Sequence, residues 1–161
     1  MILDTVRGYE CRHATAEELG EMYDLLEPLV CDYTEHKNTT EMNQRKLRKY
    51  LKHAVKTNQA IVVAKGDVLT SVYAGDDEVI VYMGTKGTDV ISTALLMHTI
   101  LNRMHNRFTE SAFLVANKKQ RKAWDVTALG DNAVEINELG IGTVKLVAKE
   151  KIERLYTALK G

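Results

Sequence analysis

Proline occurs once in these 161 residues, cysteine twice, and aromatic side chains make up 6% of the chain. A single proline leaves no Pro-rich linker, and no low-complexity tract or internal repeat breaks the sequence. Cys11 and Cys31 cannot build a disulfide framework or a four-ligand zinc site, so reduced thiols in a reducing, cytoplasmic compartment are expected. No apolar stretch is longer than the one from Ala60 to Ala64, whereas a membrane span requires ~20 residues. The opening Met1-Ile2-Leu3-Asp4-Thr5 has neither a basic start nor an apolar core, and no signal peptide is expected from it. Charge of one sign is also missing. Lysine plus arginine equals aspartate plus glutamate at 22 each, which argues against a general nucleic-acid binder.

What is present is the material of one soluble α/β domain: 45% hydrophobic and 27% charged residues. The charge is segregated along the chain. Residues 1–36 hold nine acids against Arg7 and Arg12, and residues 37–65 hold eight bases against Glu41. Such a division suits either a binding face or two adjacent segments that pair in the fold, and pairing is the plainer reading.

Tyr9 to His13 alternates as a short strand. Thr15 followed by Glu18 forms a capping box, and behind it Leu19, Met22, Leu26 and Leu29 recur at helical spacing, with Pro28 near the stop. A second helix is expected from near Thr40, with Leu47, Tyr50, Leu51, Ala54 and Val55 on one face and Arg45, Lys46, Arg48, Lys49, Lys52 and Lys56 on the other. Strands then follow at Ile61 to Val63, Val68 to Tyr73 and Val79 to Met83, punctuated by turns at Lys65-Gly66-Asp67 and Gly75-Asp76-Asp77. The loop from Gly84 to Asp89 leads into a long helix from Val90 to Phe108. A strand at Ala112 to Val115, a helix from Lys118 to Leu129, strands at Ala133 to Ile136 and Thr143 to Val147, and a helix from Lys151 to Leu159 complete the chain.

A strand meander followed by a strand–helix–strand crossover predicts a single domain over 1–161, with 149–161 as a C-terminal helical extension. Its sheet would be mixed, mostly antiparallel and six- to seven-stranded, with helices on both faces.

That order, with the stretch Tyr9 to Leu19, the run Ser92-Thr93-Ala94-Leu95-Leu96 after the Val79 to Met83 strand, and Asn117 seven residues before Trp124 with Gly130 beyond, resembles the GNAT superfamily of acetyl-CoA-dependent N-acetyltransferases. The resemblance implies a loop of small residues that places backbone amides around a CoA pyrophosphate at a helix N-terminus, where the helix dipole favours an anion. Here Val90 and Ser92 stand where the family has glycines, and Asp89 stands at the cap. The family's general acid is often a tyrosine, and the matching residue is Trp124, which has no proton to give. The acids Asp76, Asp77 and Glu78 read as a hairpin turn, with Glu78 the available base. A short acidic hairpin and a loop without the CoA signature also resemble eroded GNAT-like internal virion proteins of short-tailed phages.

Other constellations are weaker. His98 and His105 lie seven apart, hence on one face of a regular helix but not at metal-ligand spacing, and no metal is expected. Cys11 and Cys31 lack a readable partner base and read as buried thiols. The bases Arg45, Lys49 and Lys52, with Lys118, Lys119, Arg121 and Lys122, are candidates for docking an acidic protein or a second subunit. Nucleic acid is the weaker partner, because interleaved aromatics are nearly absent, and no membrane is expected.

Two functions follow as expectations. The first is a non-catalytic or weakly catalytic GNAT-fold protein without a cofactor, used in binding or assembly, in a virion or a host cell. The second is an acetyl-CoA-dependent N-acetyltransferase. Its cofactor would rest on Met83, Gly84, Lys86, Gly87 and Asn117, and its chemistry on Glu78 and Trp124.

Overall fold

The computed structural model describes residues 1–32, 37–75, 80–115, 121–122, 124–125, 133–139 and 142–161. The chain opens with a hairpin that its composition does not announce. Strand β1 (Ile2–Val6) returns into β2 (Tyr9–His13) through Arg7 and Gly8, at φ 50° and 84°. Both turn residues are left-handed, the geometry that matches the twist of a two-residue hairpin. Strands β3 (Ala60–Lys65), β4 (Val68–Gly75) and β5 (Ile80–Thr85) follow, and all five strands pair antiparallel in chain order, β1-β2-β3-β4-β5.

Between β2 and β3 run α1 (Leu19–Asp32) and α2 (Lys37–Lys56). A 3-10 turn, Ala16–Glu18, starts α1, and the expected capping box is in place. The Glu18 carboxylate accepts from the Thr15 amide at 3.0 Å and from both terminal nitrogens of Arg12, at 2.6 and 2.7 Å. The Arg12 pairing holds the Glu18 carboxyl below its usual range. Pro28 does not stop α1, which continues to Asp32; its side chain is exposed, where water can take the carbonyl it displaces.

Gln44 bonds Glu27 at 3.0 Å and Arg48 lies 4.2 Å over the Tyr23 ring, so numbering falls along α1 as it rises along α2 and the helices are antiparallel. Their buried stripes, Met22 and Leu26 from α1 with Leu47, Leu51 and Ala54 from α2, cover Val62, Ala64, Leu69 and Val72. The segments of opposite charge therefore do pack together, but through apolar side chains.

The opposite face of the same sheet is covered by α3 (Val90–Thr99), whose Leu95 and Leu96 meet Cys11, Ile61, Val63 and Tyr73. Burial on both faces explains the continuous apolar reading of β3. The long helix expected to Phe108 instead widens into a π-helical turn, Ile100–Met104, which His105 closes by donating its amide to the Ile100 carbonyl at 2.9 Å. The wide turn changes the phase, so His98 and His105 do not share a face. His105 is buried against the Tyr73 hydroxyl, Nε2 to O 3.2 Å. His98 stacks on Tyr156 at 3.5 Å and reaches Glu153 at 3.1 Å.

The remaining strands form a second antiparallel sheet of order β6-β8-β7: β6 (Glu110–Val115), β7 (Ala133–Leu139) and β8 (Gly142–Ala148). The single mixed sheet expected from the element order is thus divided. Among the described residues no backbone pairing joins β5 to β6, and every pairing is antiparallel. Helix α4 (Lys149–Lys160) lies against α3, and its Ile152 shares a cluster with Met97, Leu101, Phe113, Trp124 and Val147. No described helix is long and apolar enough to cross a membrane.

Candidate functional site

The residues expected to hold a cofactor meet where β5 passes into α3. The Lys86 amide donates to the Thr70 carbonyl at 2.8 Å, which fixes the phase of the β4–β5 ladder. With Val72 opposite Gly84 and Ala74 opposite Tyr82, those pairs exchange backbone hydrogen bonds. Met83 and Thr85 occupy the alternate positions, so their N–H and C=O groups point to the outer edge of β5, which is the last strand of its sheet. Gly84, expected in the loop, is a buried strand residue committed to Val72. The loop proper is Lys86, Gly87 and Thr88, all exposed, with Gly87 at φ 63°. A Cβ added to Gly87 would meet nothing within 4 Å, so the left-handed backbone, rather than crowding, is what calls for glycine there.

Asp89 closes the N-terminus of α3. Its Oδ1 accepts the Ser92 amide at 3.0 Å and its Oδ2 accepts the Tyr9 hydroxyl at 2.9 Å. Burial and this carboxylate hold the Tyr9 phenol above its usual pKa, so it stays a donor. Behind the cap lies a chain of buried and half-buried hydroxyls. Ser92 bonds Thr70 at 2.7 Å and also Ser71, while Thr85 bonds Ser71 at 2.9 Å and Thr93 at 3.1 Å. Ser92 therefore ties α3 to β4 and has a packing task of its own.

For an acyl-CoA, these residues divide. The outward amide and carbonyl of Thr85, on the outer edge of β5, suit an amide-bearing arm laid along that edge. The pole of α3 does not suit a diphosphate, because a carboxylate already takes one of its amides and brings negative charge.

Other expected residues fall elsewhere. Trp124 is 7% exposed and packs edge-on against Phe113, with centroids 5.7 Å apart, so it serves a core. Glu78, Asn117, Lys118 and Lys119 lie outside the described residues, as do Asp76, Asp77 and Gly130. Arg121 and Lys122 are exposed on helical residues, and Arg45, Lys49 and Lys52 are exposed on α2. Cys11 is buried, which pushes its thiol up to about 11 and leaves no reactive thiolate at neutral pH; the Cys31 side chain is outside the described set. Among the described residues no cluster of histidine, cysteine and carboxylate could hold a metal ion.

Two tyrosines escaped the sequence reading: Tyr9 at the Asp89 cap, and Tyr82 on β5, whose side chain packs with the α1–α2 cluster on the other face of the sheet. Burial raises the Tyr82 pKa, and its ring meets Tyr50 edge-on at 5.5 Å.

No family sequence model matches the chain, and no curated protein sequence does either. Its structure does have solved counterparts. An N-acetyltransferase from Thermoplasma acidophilum, in complex with coenzyme A, superposes with a TM-score of 0.62 at 9% identity, over 87% of this chain and 98% of its own. A nucleotide-linked-sugar GNAT protein in its apo form gives 0.60 at 13% identity, over 100% and 99%. A GNAT-family acetyltransferase from Bacillus cereus gives 0.54 at 10% identity, over 87% and 96%. Identities this low establish the fold: the chain has the GNAT fold over nearly its whole length.

Proposed function

We propose that this protein is an N-acetyltransferase of the GNAT type that receives its acetyl thioester along the outer edge of β5. The observation that carries the reading is the outer edge of β5, the last strand of its sheet, where Thr85 faces outward at the loop before α3, in a fold shared with acetyltransferases. Acetyl-CoA, when bound, supplies an activated acyl group. Tyr82 is the phenol that keeps its proton at neutral pH and can give it to a leaving group, a task Trp124 cannot perform. Lys86, exposed in the loop, offers a counter-charge for distal phosphates.

Calorimetric titration tests the reading with two donors, acetyl-CoA and acetyl-pantetheine, which lacks the nucleotide diphosphate. Binding of acetyl-pantetheine at least as tight as that of acetyl-CoA supports a donor held by β5 and hindered at α3. Absence of heat from both would end the transferase reading.

The Asp89 cap favours a second reading, a GNAT-fold protein that has given up catalysis for binding or assembly, of which a virion role is one form. It is the reading left standing if neither donor binds.

A further inference from the structure

The outer face of the α1–α2 pair carries two charged rows of opposite sign, side by side. Glu17 in the 3-10 turn, then Glu21 and Asp24 on α1, recur at intervals of four and three residues and are exposed. Arg45, Lys49, Lys52 and Lys56 on α2 recur in the same way and are exposed. At 1.5 Å per residue the basic row is about 16 Å long and the acidic row about 10 Å. Each lies opposite its helix's buried stripe, Met22 and Leu26 on α1 and Leu47, Leu51 and Ala54 on α2, so both rows point away from the sheet. Among the described residues none of these side chains forms an ion pair, although the helices that bear them are in contact. Between the rows runs a groove of about 510 Å³, with Leu19, Tyr23 and Leu51 in its lining and Asp24, Arg48 and Lys52 on its banks.

We propose that this face docks a second copy of the chain, about a two-fold axis that runs along the groove, parallel to the helices. That rotation lays the acidic row of each protomer over the basic row of the other, α1 antiparallel to the partner's α2, so the surface is its own complement. A two-fold axis across the helices would instead set like charge on like. A nucleic acid, or a uniformly acidic protein, fits less well, because half of the face would repel it. The helices have 14 and 20 residues. With axes about 9 Å apart they present a face of roughly 20 by 20 Å. Two copies then bury on the order of 800 Å² in total, which places the dimer in the weak, salt-sensitive class. The proposal is independent of acetyl transfer, and either can fail alone.

Sedimentation equilibrium at low and high salt tests it, with two charge-reversed variants. Lys49→Glu with Lys52→Glu cancels the net charge of the basic row and makes its centre acidic; Glu21→Lys with Asp24→Lys makes the acidic row net basic. All four positions are exposed, and circular dichroism confirms the fold of each variant. The wild-type chain is expected to dimerise at low salt, with its dissociation constant rising about tenfold or more at high salt. Each variant alone is expected to be monomeric, and an equimolar mixture of the two to form a heterodimer. A wild-type chain monomeric at all concentrations, variants that dimerise as it does, or a mixture that stays monomeric would each overturn the proposal. A monomer whose basic row binds an oligonucleotide would overturn it in favour of nucleic acid.

Discussion

Asp89 holds the stability of α3 and the electrostatics of the proposed cofactor site in one side chain, and the two can be separated by substitution. Asp89→Ala removes the helix cap, worth about 1 kcal/mol, and the charge-assisted bond from Tyr9, worth about 1.5 kcal/mol. The sum of about 2.5 kcal/mol corresponds, in a domain of this size, to a fall of roughly 5–10 °C in Tm. Asp89→Asn keeps a capping oxygen, since asparagine caps nearly as well as aspartate, and should cost under about 1 kcal/mol. Ligand affinity should move the other way. A phosphate charge about 6 Å from the carboxylate, at an effective dielectric of about 60, is repelled by about 1 kcal/mol. Two such charges amount to about 2 kcal/mol, or roughly thirtyfold in dissociation constant. Calorimetry at low salt should therefore show CoA binding tightened in both variants, with pantetheine binding unchanged in Asp89→Asn. If CoA affinity stayed constant or fell in Asp89→Asn while the Tm held, the carboxylate would not be the obstacle assigned to it here.

Tyr82→Phe should lower kcat for acetyl transfer by about tenfold or more while leaving acetyl-pantetheine binding unchanged, as read by steady-state rates beside calorimetry. Trp124→Phe should leave the pH dependence of that rate unaltered, whereas Trp124→Ala should cost about 3–5 kcal/mol in urea unfolding followed by circular dichroism. Glu18→Gln should lower stability at neutral pH by about 1–2 kcal/mol through loss of the Arg12 pair and the capping box. Because Glu18 titrates lower in the folded chain, that deficit should shrink as pH falls below the unfolded value near 4.5. His98 is shifted down, chiefly by burial with Glu153 and Asp4 opposing, so its folded form resists protonation. Its contribution is complete above the unfolded value of 6.5 and is lost as pH drops from there towards the folded value, so His98→Gln should flatten the urea midpoint over that window.

Residues that are apolar wherever the fold needs them made β2 to β5 readable, and the Thr15–Glu18 spacing made the start of α1 readable. β1 escaped because its turn places Arg7 at φ 50°, a position that sequence patterns expect glycine or asparagine to fill. The division into two sheets escaped for a different reason. Whether β5 pairs with β6 is a matter of backbone separation, which leaves no mark on side-chain periodicity. Gly84 was misplaced in the loop because glycine reads as punctuation, whereas here it is a strand residue paired with Val72. Asp89 was legible as a cap from its place before an apolar helix. Tyr9 and Tyr82 were not legible as site residues, because tyrosine in a strand reads simply as a good β-former.

The chain order of the first sheet has a consequence for how the molecule is made. Each of its pairings closes over a short turn or over the α1–α2 hairpin, so loop-closure entropy is small at every step. During synthesis from the N-terminus, β1 to β5 can assemble, with α1 to α3 laid on both faces, before Glu110 emerges. The second sheet is different in kind. Its β6 must wait for β8, since Glu110 pairs with Ala148, and β8 takes the central place between strands made earlier. Last to form is the tie between α4 and β1, where the Tyr156 hydroxyl and the Lys160 ammonium reach Asp4. Helix α4 thus acts as a latch: it closes only once Tyr156 and Lys160 have been made, and without Tyr156 Asp4 and the α3 face that receives this helix lie open to solvent.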